Sequence, residues 1–235
     1  TNPLPEAFYN RLVEAFRSYM LVGGMPEAVA TYTETGSYRY SSDIVNEIIQ
    51  GYQDDFAKYG AKANPLLLRQ TLISVAHQVG AKFVYSRVEG QYRSAEVKVA
   101  LEMLKDAGLI IPTYHTDANG VPLGAESNER VVKYLIHDTG VLLGILGIDD
   151  DIDERIKEMM VADSIDLVDK GHVAEMMAGL ELIKYSSPQK RHQLYYWQNM
   201  NKGTCAEVDY VIARSGSIVP IEVKSGVKGS MSSMY

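Results

Sequence analysis

Four charged side chains toward the C-terminal end of the sequence stand at spacings that suit a metal ion. Glu207 and Asp209 are two residues apart in Ala206-Glu207-Val208-Asp209-Tyr210-Val211-Ile212, and Glu222 and Lys224 are two apart in Pro220-Ile221-Glu222-Val223-Lys224. In an extended strand, alternate side chains point to the same face. Each pair therefore shares a face, while Val208, Tyr210 and Ile212 on one strand, and Ile221 and Val223 on the other, take the opposite one. Arg214-Ser215-Gly216-Ser217 carries a turn signal, because Gly adopts positive φ without steric cost. A two-residue loop at Ser215-Gly216 pairs Arg214 with Ser217, and a four-residue loop pairs Ala213 with Ile218. Both place Asp209 opposite Glu222 and Glu207 opposite Lys224. Directly opposed Cβ atoms lie about 4.5–5.5 Å apart, where like charges repel. Asp209 facing Glu222 therefore calls for a compensating cation, and a divalent ion with oxygen ligands fits.

The elements before this hairpin decide what else reaches it. Residues 170–185 read as a helix with Val173, Met176, Met177, Leu180 and Ile183 on its apolar side. Glu175 and Glu181 both sit on it, but six residues turn the helix by about 600°, so only one can face a shared site. Gln193 to Gln198 reads as a strand. The order is helix, strand, strand, strand, with a Glu on the helix, Asp209 on the second strand and Glu222-Val223-Lys224 on the third.

Further upstream the pattern is mainly helical. Apolar residues recur at helical spacing in 6–20 (Phe8, Tyr9, Leu12, Val13, Phe16, Tyr19) and in 41–58 (Ile44, Ile48, Ile49, Tyr52, Phe56), the latter capped by Ser42 or Asp43. Val22-Gly23-Gly24-Met25-Pro26-Glu27 breaks and restarts a helix. Helices over 65–78 and 94–107, the second capped by Ser94, lead into a strand over 109–114, a turn at Asp117-Ala118-Asn119-Gly120 with a short return segment after it, a further strand over 133–137 and a short helix over 140–146. Helix, loop, helix, hairpin is the order of a winged helix. The outward charges of its second helix, Glu96, Lys98, Glu102, Lys105 and Asp106, are mixed, whereas phosphate binding favours a basic surface. Packing against protein is at least as strong an expectation as reading DNA. The acidic group Asp149, Asp150, Asp151, Asp153 and Glu154 is taken as a domain boundary. This gives a helical segment over 1–62, a winged-helix-like domain over 63–150 and a third domain over 151–235.

Composition narrows the class. The chain has 235 residues and a formal net charge of −7, and its acidic excess lies wholly within residues 1–162. That balance opposes strong nonspecific affinity for nucleic acid. No apolar run reaches the roughly 20 residues of a membrane helix, so no membrane partner is expected. A single cysteine, Cys205, and no signal-like start make a cytoplasmic location the expectation. The five histidines (His77, His115, His137, His172, His192) have no metal-ligand spacing. The sequence opens at Thr1 without an initiator Met and stops at Tyr235. It reads as a portion of something longer.

Asp209…Glu222-Val223-Lys224 is similar to the PD-(D/E)xK motif of the restriction-endonuclease-like superfamily. Five segments in order sharpen the likeness: Tyr19 to Ala28 (YMLVGGMPEA), His137-Asp138-Thr139-Gly140, Tyr195-Tyr196-Trp197, Ala206 to Tyr210, and Pro220 to Gly226. Together they resemble the domain of unknown function that follows the ATPase module in a large family of predicted bacterial and archaeal AAA-type P-loop ATPases. The resemblance implies an α+β chain: a mainly helical N-terminal part with a winged-helix region, then an endonuclease-like α/β domain that lacks its last helix and strand. No G-x-x-x-x-G-K-[ST] occurs, so ATP would bind only in an N-terminal module outside these residues. By the same resemblance, Glu175, Asp209, Glu222 and Lys224 form a catalytic set. Asp209, Glu222 and the Val223 carbonyl would hold Mg²⁺ or Mn²⁺, and Lys224 would orient or deprotonate water and stabilise phosphorane charge. Glu207 pairs with Lys224 or another base. Val208 stands where the superfamily has proline. Two functions follow: cleavage or binding of DNA or other nucleic acid, or a noncatalytic docking module for the chain's own ATPase. Oligomeric state stays open.

Overall fold

The computed structural model describes residues 5–59, 63–147, 170–186, 193–199 and 206–224. Its architecture is α+β, as the sequence pattern predicts. The expected boundary cluster at 149–154, Cys205 and His192 lie outside the described residues. The chain forms two compact units, residues 1–69 with 138–169 and residues 70–137 with 170–235. This grouping is drawn differently from the expected boundaries at 62 and 150.

The first unit contains helices α1 (Glu6–Val22), α2 (Pro26–Thr35), α3 (Tyr38–Phe56) and α6 (Thr139–Ile145). Ser37, rather than Ser42 or Asp43, caps α3, its side chain accepting from the Tyr40 N–H at 3.4 Å. The apolar stripe of α1 is buried only at its C-terminal end, at Met20 and Val22. Phe8, Tyr9, Leu12 and Phe16 stay exposed. Asp138 ties the unit together. Its Oδ1 accepts from the Val141 N–H at 3.0 Å, capping α6, and its Oδ2 accepts from the Gly24 N–H at 2.6 Å. The two glycine-containing segments Val22-Gly23-Gly24 and Asp138-Thr139-Gly140 are thus two sides of one contact. Gly23 has φ +77°, and a Cβ there would run into the Asp138 carboxylate; a Cβ on Gly140 would lie 2.5 Å from the Val22 carbonyl oxygen.

The second unit contains the part of α4 (Pro65–Ala76) from Gln70 onward, α5 (Ser94–Asp106), α7 (Lys170–Lys184) and a five-stranded sheet. Arg93, not Ser94, holds the N-cap position of α5, and its N–H donates to Glu96 at 2.8 Å. The strands are β1 (Ile110–Thr116), β2 (Ser127–Ile136), β3 (Leu194–Gln198), β4 (Glu207–Arg214) and β5 (Ser217–Ile221), in the order β2-β1-β3-β4-β5. β1 and β3 are parallel, and every other neighbouring pair is antiparallel. The upstream hairpin therefore does not stand apart. It adds two strands to the C-terminal three, and so brings β2 residues into the same sheet as the charged hairpin.

The β4–β5 turn is the two-residue loop, with φ +52° at Ser215 and +80° at Gly216, and pairs Arg214 with Ser217 through to Tyr210 with Ile221. The β3–β4 ladder is less regular. Tyr195 pairs with Val211 but Trp197 with Val208, so Asp209 and Tyr210 together oppose Tyr196. This bulge corrects the simple alternation expected for β4. Val208 and Val211 share one apolar cluster with Leu123, Tyr195, Trp197 and Ile218, whereas Tyr210 turns toward α7 and donates to the Glu175 carbonyl at 2.7 Å.

Asp138→Ala removes a helix cap and strands a second N–H. It is expected to destabilise the first unit by about 2–3 kcal/mol in urea unfolding. An unchanged midpoint would show that the contact between the two glycine segments contributes little.

Candidate functional site: a carboxylate cluster around a buried lysine

Two elements deliver three carboxylates to one place on the α7 side of the sheet. Glu175 comes from the second turn of α7 and is buried, while Glu181 points outward and pairs with Lys184 at 2.7 Å. Glu207 and Asp209 come from β4. Glu175, Glu207 and Asp209 each offer a carboxylate oxygen within 4.8 Å of the other two. Gly179, one turn beyond Glu175, lets α7 approach: a Cβ there would run into the Tyr210 hydroxyl and lie 2.7 Å from Leu135.

The cation inside this cluster was not expected from the sequence. Lys133 of β2 is 2% exposed. Its Nζ lies 2.9 Å from Glu175 Oε1 and also pairs with Glu207 Oε1. The ammonium stands 5.1 Å from the centroid of the fully buried Tyr196 ring, a cation–π arrangement made stronger by desolvation. Glu207 thus pairs with another base than Lys224. The signal for Lys133 was present in the sequence: it is the one charge in the apolar run Val131-Val132-Lys133-Tyr134-Leu135-Ile136. A charge so placed is buried only when paired.

The second pair of predicted residues lies beside this cluster. β5 pairs as far as Ile221, and continuing its register puts Glu222 opposite Asp209. Glu222 and Lys224 form an ion pair with each other. Lys224 is exposed, while Glu222 Oε2 is buried with no hydrogen-bond partner among the described residues. Val223 meets Asp209 through its N–H, which donates to Asp209 Oδ2 at 2.7 Å.

Four carboxylates against two ammonium groups leave the region net negative, and its proton affinities follow. Burial raises Glu175 to about 7, and the attraction of Lys133 offsets only part of that rise. Asp209 is raised by burial and by Glu222, against the Val223 hydrogen bond. For Lys133, burial acts to lower the pKa, but Glu175 and Glu207 together outweigh it and hold the ammonium charged. Oxygen donors, excess negative charge and an unpartnered Glu222 oxygen suit a hard divalent cation.

The Glu175 shift fixes the sign of a pH dependence. An unfolded glutamate releases its proton near 4.5, but the folded chain keeps it to about 7. Between those values the folded state binds the extra proton, so stability falls as pH rises across that window. Thermal midpoints measured in chelator should decline over it in the wild type, with a flatter profile in Glu175→Gln. Identical slopes in the two proteins would contradict the assignment.

Two families match the chain. Residues 170–234 match a family described as a domain of unknown function, DUF4143, which agrees with the resemblance to the C-terminal region of AAA-type ATPases. No curated protein and no solved structure matches significantly. Residues 13–152 match a second domain of unknown function, DUF8612. That match spans more than half of the 235 residues, and the chain belongs to the DUF8612 family.

Proposed function

We propose that the second unit is a divalent-cation-binding, nuclease-like module of an AAA-type ATPase, acting on the phosphodiester backbone of DNA or other nucleic acid. The observation that carries this reading is the convergence of Glu175, Glu207 and Asp209 from a helix and a strand onto oxygens within 4.8 Å of one another, with Glu222 alongside. These carboxylates, and the Val223 carbonyl, would hold Mg²⁺ or Mn²⁺. When bound, such an ion polarises a phosphoryl oxygen and lowers the pKa of a bound water. The chain's own contribution is positional. Tyr210 fixes the α7 backbone at Glu175 through its 2.7 Å hydrogen bond, and the Val223 N–H orients Asp209. Lys224, on the exposed side, supplies a mobile ammonium to a phosphate. ATP would belong to the N-terminal module outside these residues.

A second reading rests on one specific observation. Lys133 already neutralises part of the acidic cluster, as a metal-free network would require. On that reading the chain is a noncatalytic docking module of the ATPase, and the winged-helix order over 63–150 serves protein contact. The mixed charges of α5, including the Lys105–Glu102 ion pair, favour protein over DNA there.

Calorimetric titration of the chelator-treated chain with Mn²⁺ separates the two. The first reading expects binding that weakens at least tenfold, about 1.4 kcal/mol, in Asp209→Ala, together with Mn²⁺-dependent cleavage of mixed DNA and RNA substrates that the same substitution abolishes. Absence of Mn²⁺ binding by the wild type would leave the docking role, and cleavage surviving Asp209→Ala would remove the site from the reaction.

A further inference from the structure

We infer that Lys133 is the built-in counter-cation of the acidic cluster: its ammonium holds Glu175 and Glu207 in place without metal, and competes with a divalent ion for them. The competition rests on the divalent-cation reading above, whereas the counter-cation role stands without it.

The geometry makes the two cations alternatives. Lys133 contacts two of the three carboxylates that converge, at 2.9 Å from Glu175 and in an ion pair with Glu207. An ion bound to Glu175 Oε1, the oxygen that Lys133 holds, at about 2.0–2.6 Å would stand within about 5.5 Å of the ammonium. Like charges at that separation repel strongly where water is scarce. The ammonium is withdrawn from solvent: Lys133 is 2% exposed, and the buried Tyr196 ring lies beside it. Lys224 differs in this respect. At 38% side-chain exposure it can turn outward and leave Glu222. The site therefore holds one fixed and one movable lysine.

The fixed lysine also explains how three carboxylates stay together in the absence of metal. Unpaired buried carboxylates take up protons or move toward water. An ammonium among them keeps the pocket formed before any ion arrives, at the expense of ion affinity.

The test compares the wild-type chain with Lys133→Met and with the charge-balanced Lys133→Met/Glu207→Gln, using Mn²⁺ alone as the probe. Calorimetry reads affinity, and thermal unfolding in chelator and in millimolar Mn²⁺ reads stability. Lys133→Met is expected to bind Mn²⁺ at least tenfold more tightly than the wild type. Its midpoint should fall in chelator and recover in Mn²⁺. If it does not fold in chelator, recovery of its circular dichroism on adding Mn²⁺ is the equivalent result. The double variant should fold in chelator and lose the gain in affinity. Binding by Lys133→Met that is no tighter than wild type overturns the inference, as does a loss of fold that Mn²⁺ does not restore. Wild-type binding unchanged by Lys133→Met would retain the metal reading and remove the competition. Binding by Lys133→Met alone would remove the metal reading for the natural chain and retain Lys133 as the group that excludes the ion. Binding by neither protein rejects the metal reading and the competition, and an unchanged midpoint of Lys133→Met in chelator rejects the counter-cation role.

Discussion

A buried ammonium among carboxylates constrains everything around it. Lys133 is taken out of water on a strand whose other inward neighbours are apolar, and it persists there because Glu175 and Glu207 receive it. Removing one partner of such a group leaves an uncompensated charge, which is why these contacts fix geometry more firmly than exposed pairs do. The three ion pairs within α3, α5 and α7 and their ends, Lys58–Asp55, Lys105–Glu102 and Lys184–Glu181, are partly or largely exposed. They lack that power, because solvent screens them. The cluster thus joins β2, β4 and α7, whose residues are far apart in sequence.

Sheet topology and local irregularity deliver those residues together. The parallel β1–β3 pairing joins an upstream hairpin to the C-terminal strands, so Lys133 shares a sheet with Glu207. The bulge opposite Tyr196 then adjusts β4. It lets Val208 and Val211 bury on one face while Asp209 and Tyr210 serve the other. Gly179 removes the side chain that would keep α7 from Tyr210. In the first unit, Asp138 plays a comparable joining role with neutral backbone groups rather than charges.

Much of the hairpin was legible because its cues are local. Alternation and the Ser215-Gly216 turn determined the β4–β5 register, and helical spacing separated Glu175 from Glu181. Three things were not legible. The bulge depends on what β3 presents to β4, and no residue of β4 announces it. The capping of α3 by Ser37 and the role of Asp138 depend on where neighbouring chain falls. Lys133 was visible as a lone charge in an apolar run, but its partners lie 42 and 74 residues downstream, beyond any periodic argument. Of the two partners the hairpin left for Glu207, Lys224 or another base, the structure supplies the other base, the buried Lys133.

The integrity of the cluster therefore turns on whether Lys133 and Glu175 are energetically coupled in the folded chain. A double-mutant cycle of Lys133→Met and Glu175→Gln, read by urea unfolding in chelator near pH 8, measures that directly. A buried contact pair predicts that the two substitutions together cost less than the sum of the singles, by about 2 kcal/mol or more. Additivity within about 0.5 kcal/mol, the behaviour of independent sites, would contradict it.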